Sequence, residues 1–359
     1  MRRLSKLLPY CLLLFLLLAC AGVRFAINPE TSDQIQEETA TVTPIPGVTA
    51  TVPAQMSATA EFPRPTPTAA ALGTVENPLV LALLPGSSSD RERVEAGKAL
   101  AEQLSEITGY TFVVVAPDSY MKLVESMGKG NAHVAVLSAP AYVLAYENGY
   151  ANAAFASIKS GEKAYGAQFI ARADAGFQSY YDAHRDKNTA DAATALSQFR
   201  DKKPCWPDEV SLSGYVVPTG ILARNNIPVR PAAVVLGQPT VVQAVYAGGI
   251  CDFGATYIDA RSFPSVLDKY PDVLDEVKVI WRIPSIIPFE TFVLAHNLPP
   301  QISLAISDAL FRITGMQEGR QLLGQAYGIE EWERITDAFY DEFRLYLNAS
   351  GVDLEGLLD

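Results

Sequence analysis

The sequence predicts an α/β protein with mixed sheets flanked by helices. Short apolar runs bounded by proline or glycine recur along the chain, and stretches of helical period lie between them. Hydrophobic residues make up 49% of the 359, enough for sizeable cores, and this length has room for two domains.

Residues 77–85 (NPLVLALLP) read as a buried strand stopped by proline. In the following GSSSDRERVEAGKALAEQLSEITGY, Ser89 and Glu92 have capping-box spacing. Val94, Leu100, Ala101, Leu104 and Ile107 form one apolar stripe, closed by Gly109. YTFVVVAP (110–117) is a second strand, SYMKLVESMGKG a short helix, AHVAVLSAP (132–140) a third strand, and AYVLAYENG opens another helix. Such alternation implies a mainly parallel sheet. Further on, KAYGAQFIARAD (163–174) is a long strand, TALSQFRDKKPCW a helix running into a strand, and 216–225 a helix. QPTVVQAVYAGGICDFGATY reads as helix, Gly-Gly stop and strand; EVKVIWRIP (276–284) and ETFVLAHN (290–297) are strands. Beyond Pro299-Pro300 the chain reads as helical to its end. Ile302, Ile306, Leu310 and Ile313 share one face, and Trp332, Ile335, Phe339, Phe343 and Tyr346 share a face of the last long helix.

Export is written at the start. Arg2, Arg3 and Lys6 precede an apolar run from Leu7 to Ala19, short for a bilayer span and right for a signal-peptide core. It ends in Leu17-Leu18-Ala19-Cys20, which resembles a bacterial lipobox. Residues 1–19 are therefore expected to be a lipoprotein signal peptide, with Cys20 lipidated. Residues 20–76, rich in Thr and Pro, are expected to form a disordered tether with a mean span of about 40 Å. This places the protein outside the cytoplasm, lipid-anchored at the bacterial cell surface or in the periplasm. The formal charge of −12 becomes −15 once the three basic residues of the signal are gone. An acidic chain argues against nucleic acid as partner but not against a small anion held by local donors. Cys205 and Cys251 remain after Cys11 and Cys20, and they either pair outside the cytoplasm or stay as two buried thiols. No His/Cys cluster has metal-ligand spacing, and neither metal nor cofactor is expected.

PDEVSLSGYVVPTG (207–220) sets Ser211-Leu212-Ser213-Gly214 just ahead of a helix. Either a serine caps that helix, or the turn offers hydroxyls and amide N–H groups to an anion.

Several segments, in order, resemble the phosphonate-binding periplasmic proteins (phosphonate/phosphite type) of ABC importers. They are LLPGSSSDR, MGKGNAHVAVLSAPAYVLAYENG, FIARADAG, SLSGYVVPTGIL, GQPTVVQAVYAGGICDFGATY and VIWRIPSIIPFETFVLA, covering most of residues 77–300. The resemblance implies a two-lobe type II periplasmic-binding-protein fold with two crossovers and a ligand cleft. Lobe one is then 77–172 plus 283–359, and lobe two 173–282. It also implies that Ser211, Ser213 and Gly214 hold an oxyanion, where Leu212 stands in place of the family's threonine. Tyr120 and Tyr142 match cleft positions, and Ser138, on the same strand-end loop as Tyr142, is a further candidate donor. Gln238 stands where relatives carry a histidine. Glu290 is a candidate for one of the carboxylates that relatives set opposite an ammonium, and Asp259, after Tyr257, is a candidate for another. Ligand classes compatible with these changes are phosphonate, phosphite, phosphate, a sulfonate or an organic acid.

Catalysis is not expected. The three histidines, His133, His184 and His296, have no nucleophile partner in a motif, and no Gly-x-Ser-x-Gly elbow occurs. The implied function is a monomeric solute-binding lipoprotein that delivers a small anionic ligand to an ABC permease and its ATPase. The alternative is a ligand-sensing surface lipoprotein that presents its closed form to a receptor or sensor kinase.

Overall fold

The structure, a computed structural model, describes residues 70–329 and 331–358. The expected signal peptide, Cys20 and the expected tether up to residue 69 lie outside the described residues. Gly73, just before the expected start of the fold, already belongs to it: its carbonyl accepts from Thr111 N–H at 2.8 Å, and Leu72 packs on the core.

The strands are β1 (Leu79–Ala82), β2 (Phe112–Val115), β3 (Val134–Leu137), β4 (Ala151–Ile158), β5 (Ala164–Arg172), β6 (Tyr181–Asp182), β7 (Lys187–Asn188), β8 (Pro204–Trp206), β9 (Ala233–Val234), β10 (Phe253–Tyr257), β11 (Val277–Pro288), β12 (Thr291–Ala295) and β13 (Glu331–Arg334). One sheet runs β13-β4-β12-β3-β1-β2 and a second β11-β5-β10-β8-β9, while β6 and β7 form a small hairpin. The helices are α1 (Arg91–Thr108), α2 (Tyr120–Gly128), α3 (Ala139–Glu147), α4 (Ala192–Leu196), α5 (Val217–Arg224), α6 (Gln238–Ala247), α7 (Pro264–Leu267), α8 (Val273–Glu276), α9 (Pro300–Gly315), α10 (Gln317–Tyr327) and α11 (Asp341–Ser350).

The chain passes between the sheets at 159–163 and again at 289–290. These two connections are hydrogen-bonded to each other's flanks, Phe289 N–H to Lys163 O at 3.1 Å and Ser157 N–H to Glu290 O at 2.9 Å. Both sheets are mixed rather than mainly parallel. β1 is parallel to β2 and β3, and β8 to β9 and β10, but β12 is antiparallel to β3 and β4, and β5 to β10 and β11. The carboxyl ends of the parallel strands in both sheets face the crossing. A chain leaving one sheet there enters the other from its carboxyl edge and must run against it.

β3 and β12 are buried along their whole length, as central strands covered on both faces are. α1 covers the first sheet through Ala96, Leu100, Ala101 and Leu104, and α9 through Ile302, Ile306, Leu310 and Ile313. Each such leucine or isoleucine contributes about 1.5–3 kcal/mol by burial. Phe199 and Phe253 stack at 3.9 Å in the core under the second sheet, with Phe169 beside them. Cys205 and Cys251 form a disulfide that ties β8 to the segment entering β10.

Four further expectations differ from what is found. The cap of α1 is Asp90, whose carboxylate accepts from Arg93 N–H at 3.1 Å, and not Ser89. Trp332 sits in β13, where Gly328 has ended α10 and the free edge of β4 offers hydrogen bonds; Trp332 alone is buried among exposed neighbours, a strand alternation. β5 and residues 283–288 of β11 belong to the second sheet, because β5 pairs along its whole length with β11. α11 packs on α5 beside the second sheet, at a point where Gly220 leaves no room for a side chain against Tyr346.

Candidate functional site

Loops that leave the carboxyl ends of parallel strands converge where the chain crosses between sheets, the usual ligand position in open α/β sheets. Ser87 follows β1, Tyr120 follows β2 and Ser138 follows β3. In the second sheet Ser211 and Ser213 follow β8, Gln238 follows β9, and Asp259 follows β10.

Ser211 does cap: its Oγ accepts from Gly214 N–H at 3.1 Å. The turn it starts, Leu212–Val216, is π-helical and runs on into α5. Tyr215 and Val216 N–H both return to Ser211 O, so the amides of Leu212 and Ser213 precede the start of the helical hydrogen bonds. Gly214 is required here, since a Cβ would lie 2.6 Å from Pro207 Cδ and 3.0 Å from Ser211 Oγ. Leu212 packs against the hydrophobic core.

Gln238 is brought to this turn from β9. Val235 N–H donates to Trp206 O and Gly237 N–H to Pro207 O, which staples the two loops together, and Gly237 turns with φ 98°. Gly254 lets α6 approach β10, where a Cβ would meet Val241 Cγ1 at 2.5 Å. Gln238 Nε2 then donates to Ser211 Oγ at 2.9 Å and Ser213 Oγ at 3.3 Å, while its Oε1 accepts from Tyr257 N–H at 3.1 Å.

Ser213, 5% exposed, lines a cavity of about 370 Å³ with Tyr165, Gly166, Tyr257, Ile258 and Phe289. Tyr165 stacks on Phe289 with centroids 5.1 Å apart. A larger concavity of about 810 Å³ runs along α9 and β13 and is lined by none of the candidate ligand-binding residues named from sequence. The smaller one, which Ser213 lines, is the candidate site.

Tyr120 and Tyr165 flank Glu290. Burial first, and then the charge of Glu290, push both phenols up to about 12, so each remains a neutral donor. Glu290 itself pairs with Lys159 from the other connection, Oε2 to Nζ 2.8 Å, though out of line for a hydrogen bond. Lys159 Nζ also lies 5.0 Å from the Phe289 ring centroid.

Asp259, Tyr142 and Ser138 are not among the residues that line this cavity. Asp259 accepts from Gln168 Nε2 at 2.7 Å and from Arg261 at 2.6–3.2 Å. Burial raises its pKa, but the Arg261 and Gln168 bonds outweigh this and hold the carboxyl below its usual value. Tyr142 is fully buried, packs on Tyr340 and donates to Asp337 at 2.8 Å, so its hydroxyl is spent inside the first-sheet core. Ser138 caps α3 without a side-chain bond at the end of β3. His133 is buried, its Nδ1 accepts from Val80 N–H, and desolvation holds its pKa low. Tyr165, Tyr257, Phe289 and Lys159 were not foreseen; the only signal was their place at strand ends next to the connections.

The family model described as "ABC transporter, phosphonate, periplasmic substrate-binding protein" matches residues 81–340. The chain belongs to this family. It is 26% identical over 293 residues to the phosphate-import protein PhnD of Mycolicibacterium smegmatis, covering 76% of this chain and 86% of that one. Among solved structures, XAC2383 of Xanthomonas citri bound to ATP superposes with a TM-score of 0.54 at 16% identity, over 78% of this chain and 97% of that one. The same protein bound to chloride gives 0.53 at 17% identity, over 78% and 98%. The fold is that of type II periplasmic binding proteins, and the relatives are substrate-binding components of transporters rather than enzymes. Among the described residues no helix is long and apolar enough to cross a membrane.

Proposed function

We propose that this substrate-binding protein captures a small tetrahedral oxyanion of the phosphate, phosphite or alkylphosphonate class. The observation that carries the reading is the Ser211–Gly214 turn, whose two hydroxyls and leading amides sit beside a cavity walled by Tyr165 and Phe289. The lobes of the proposal are residues 70–158 with 291–340, and residues 164–288 with α11. They close about the connections at 159–163 and 289–290, bringing Tyr120 to the anion held by the serine turn. All donors in this set are neutral, so the anion is held by hydrogen bonds and not by an ion pair. Because Lys159 already neutralises Glu290, an ammonium on the ligand finds no free carboxylate, which disfavours aminoalkylphosphonates. Cys20 as lipid anchor, and delivery of the ligand to a membrane permease, complete the proposal.

Thermal unfolding of the purified protein with phosphate, phosphite, methylphosphonate, 2-aminoethylphosphonate and methanesulfonate tests it. A ligand at one hundred times its Kd stabilises by about 2.7 kcal/mol, a readily measured rise in Tm. No shift with any of the five contradicts the reading.

A further inference from the structure

Gln238 was expected to touch the ligand, yet both ends of its amide are spent within the protein. We infer that Gln238 is a positioning residue that fixes the polarity of the serine turn. This rests on the proposal that the turn receives an oxyanion. Tyr257 N–H can only donate, so it selects Oε1 and leaves Nε2 facing the serines. Nε2 can only donate, so Ser211 Oγ and Ser213 Oγ are both acceptors toward it. Ser211 Oγ also accepts from Gly214 N–H. Each serine proton is then left for a partner other than Gln238, and both hydroxyls are set as donors before any ligand arrives. Three links thus run from the β10 backbone to the anion cradle: a backbone amide orients a side-chain amide, and that amide orients two hydroxyls.

The cradle made this way takes a face of oxygens that only accept. A protonated P–OH or a carboxylic acid proton on that face meets a donor instead of an acceptor. On the segments packed against Gln238 the charged and titratable groups are Asp208 and Glu209 on the loop before the turn, Tyr257 at the end of β10, and Asp259 and Arg261 just after it. Burial first, and then Asp259, hold the Tyr257 phenol above its ordinary value, and Asp259 itself is held below, so neither changes form between pH 5 and 8.

Gln238→Glu tests this, because a carboxylate keeps the bond from Tyr257 N–H but turns from donor to acceptor toward the serines. Their hydroxyls then donate to Glu, and oxyanion affinity at pH 7.5 is expected to fall by at least about 100-fold, as two donors to a charged ligand are lost. Lowering the pH protonates that carboxyl and restores a donor, so the wild-type-to-variant affinity ratio shrinks toward pH 5. A purely structural role predicts a ratio that stays constant with pH, and that result overturns the inference. Gln238→Met, close in shape and without polarity, is expected to weaken binding about tenfold at every pH. A second readout needs no ligand: in the NMR spectrum of the free protein, the Gln238 side-chain NH2 should exchange slowly with water, and Ser211→Ala should speed it. Fast exchange in the free wild-type protein overturns the inference. If the wild type binds none of the oxyanions, the proposed function fails, and the NMR measurement alone decides the role of Gln238.

Discussion

Replacing Ser213 by alanine removes one hydroxyl from the cavity wall and little else. Its side chain is 5% exposed, and its one bond within the protein is the 3.3 Å contact from Gln238 Nε2. A contact of that length contributes little, so the free variant should lose less than about 1 kcal/mol of stability. Toward a charged ligand the same hydroxyl is worth about 1.5–3 kcal/mol, or roughly 10- to 150-fold in Kd. Ser211 provides the control, because it works for the fold as well. Ser211→Ala takes away the cap on Gly214 N–H and the 2.9 Å partner of Gln238, and is expected to cost about 1 kcal/mol of stability besides affinity. Calorimetric titration with phosphate or methylphosphonate, paired with urea unfolding of the free proteins, separates the two effects. Wild-type affinity in Ser213→Ala refutes the assignment of this turn as the anion cradle.

Three further outcomes are expected. Reducing the Cys205–Cys251 disulfide, which joins residues 46 apart, should cost about 4 kcal/mol in the chain-entropy model, read as a fall in the urea midpoint; an unchanged midpoint contradicts the structural role given to it. Asp259 has a folded-state pKa below its ordinary 3.8, so its stabilisation is complete above that value and is lost as the pH falls through the folded value. Asp259→Asn should therefore flatten the loss of stability as the pH falls below about 4, and an unaltered acid profile argues against the Arg261 pairing. Lys159→Gln frees Glu290 and should improve 2-aminoethylphosphonate relative to methylphosphonate by roughly fivefold, the limit for a half-exposed pair; no change in their ratio removes Glu290 from the specificity argument.

How much of this was legible depended on whether the deciding contacts were local. β1, β3 and α1 follow directly from apolar runs and a 3.6-residue stripe, because burial on these elements is set by their own periodicity. β13 was hidden by the same logic. Trp332, Ile335, Phe339 and Phe343 are spaced as a helix face would be, and only the open edge of β4, some 175 residues earlier, makes the first of them a strand residue. The Ser211–Gly214 turn could be singled out because capping chemistry and anion binding use the same residue types. The fate of Gln238 could not, since whether an amide is free or spent depends on the Tyr257 backbone arriving from another strand. Tyr142 shows the reverse limit: an aromatic at a strand end faces either the cleft or the core, and here Asp337 and Tyr340 claim it for the core. Lys159 neutralises Glu290 across 131 positions of sequence, a pairing created only by the meeting of the two connections.

The central claim is that the turn after β8 and the cavity beside it hold a small oxyanion through neutral donors. Isothermal titration of the purified protein with phosphate, phosphite and methylphosphonate at several salt concentrations tests it most directly. One site per chain is predicted, with an affinity that barely weakens as salt is raised, because Lys159, the cation beside the cavity, is already paired with Glu290 and the ligand meets neutral donors. Absence of binding, or an affinity that falls steeply with salt, contradicts the account.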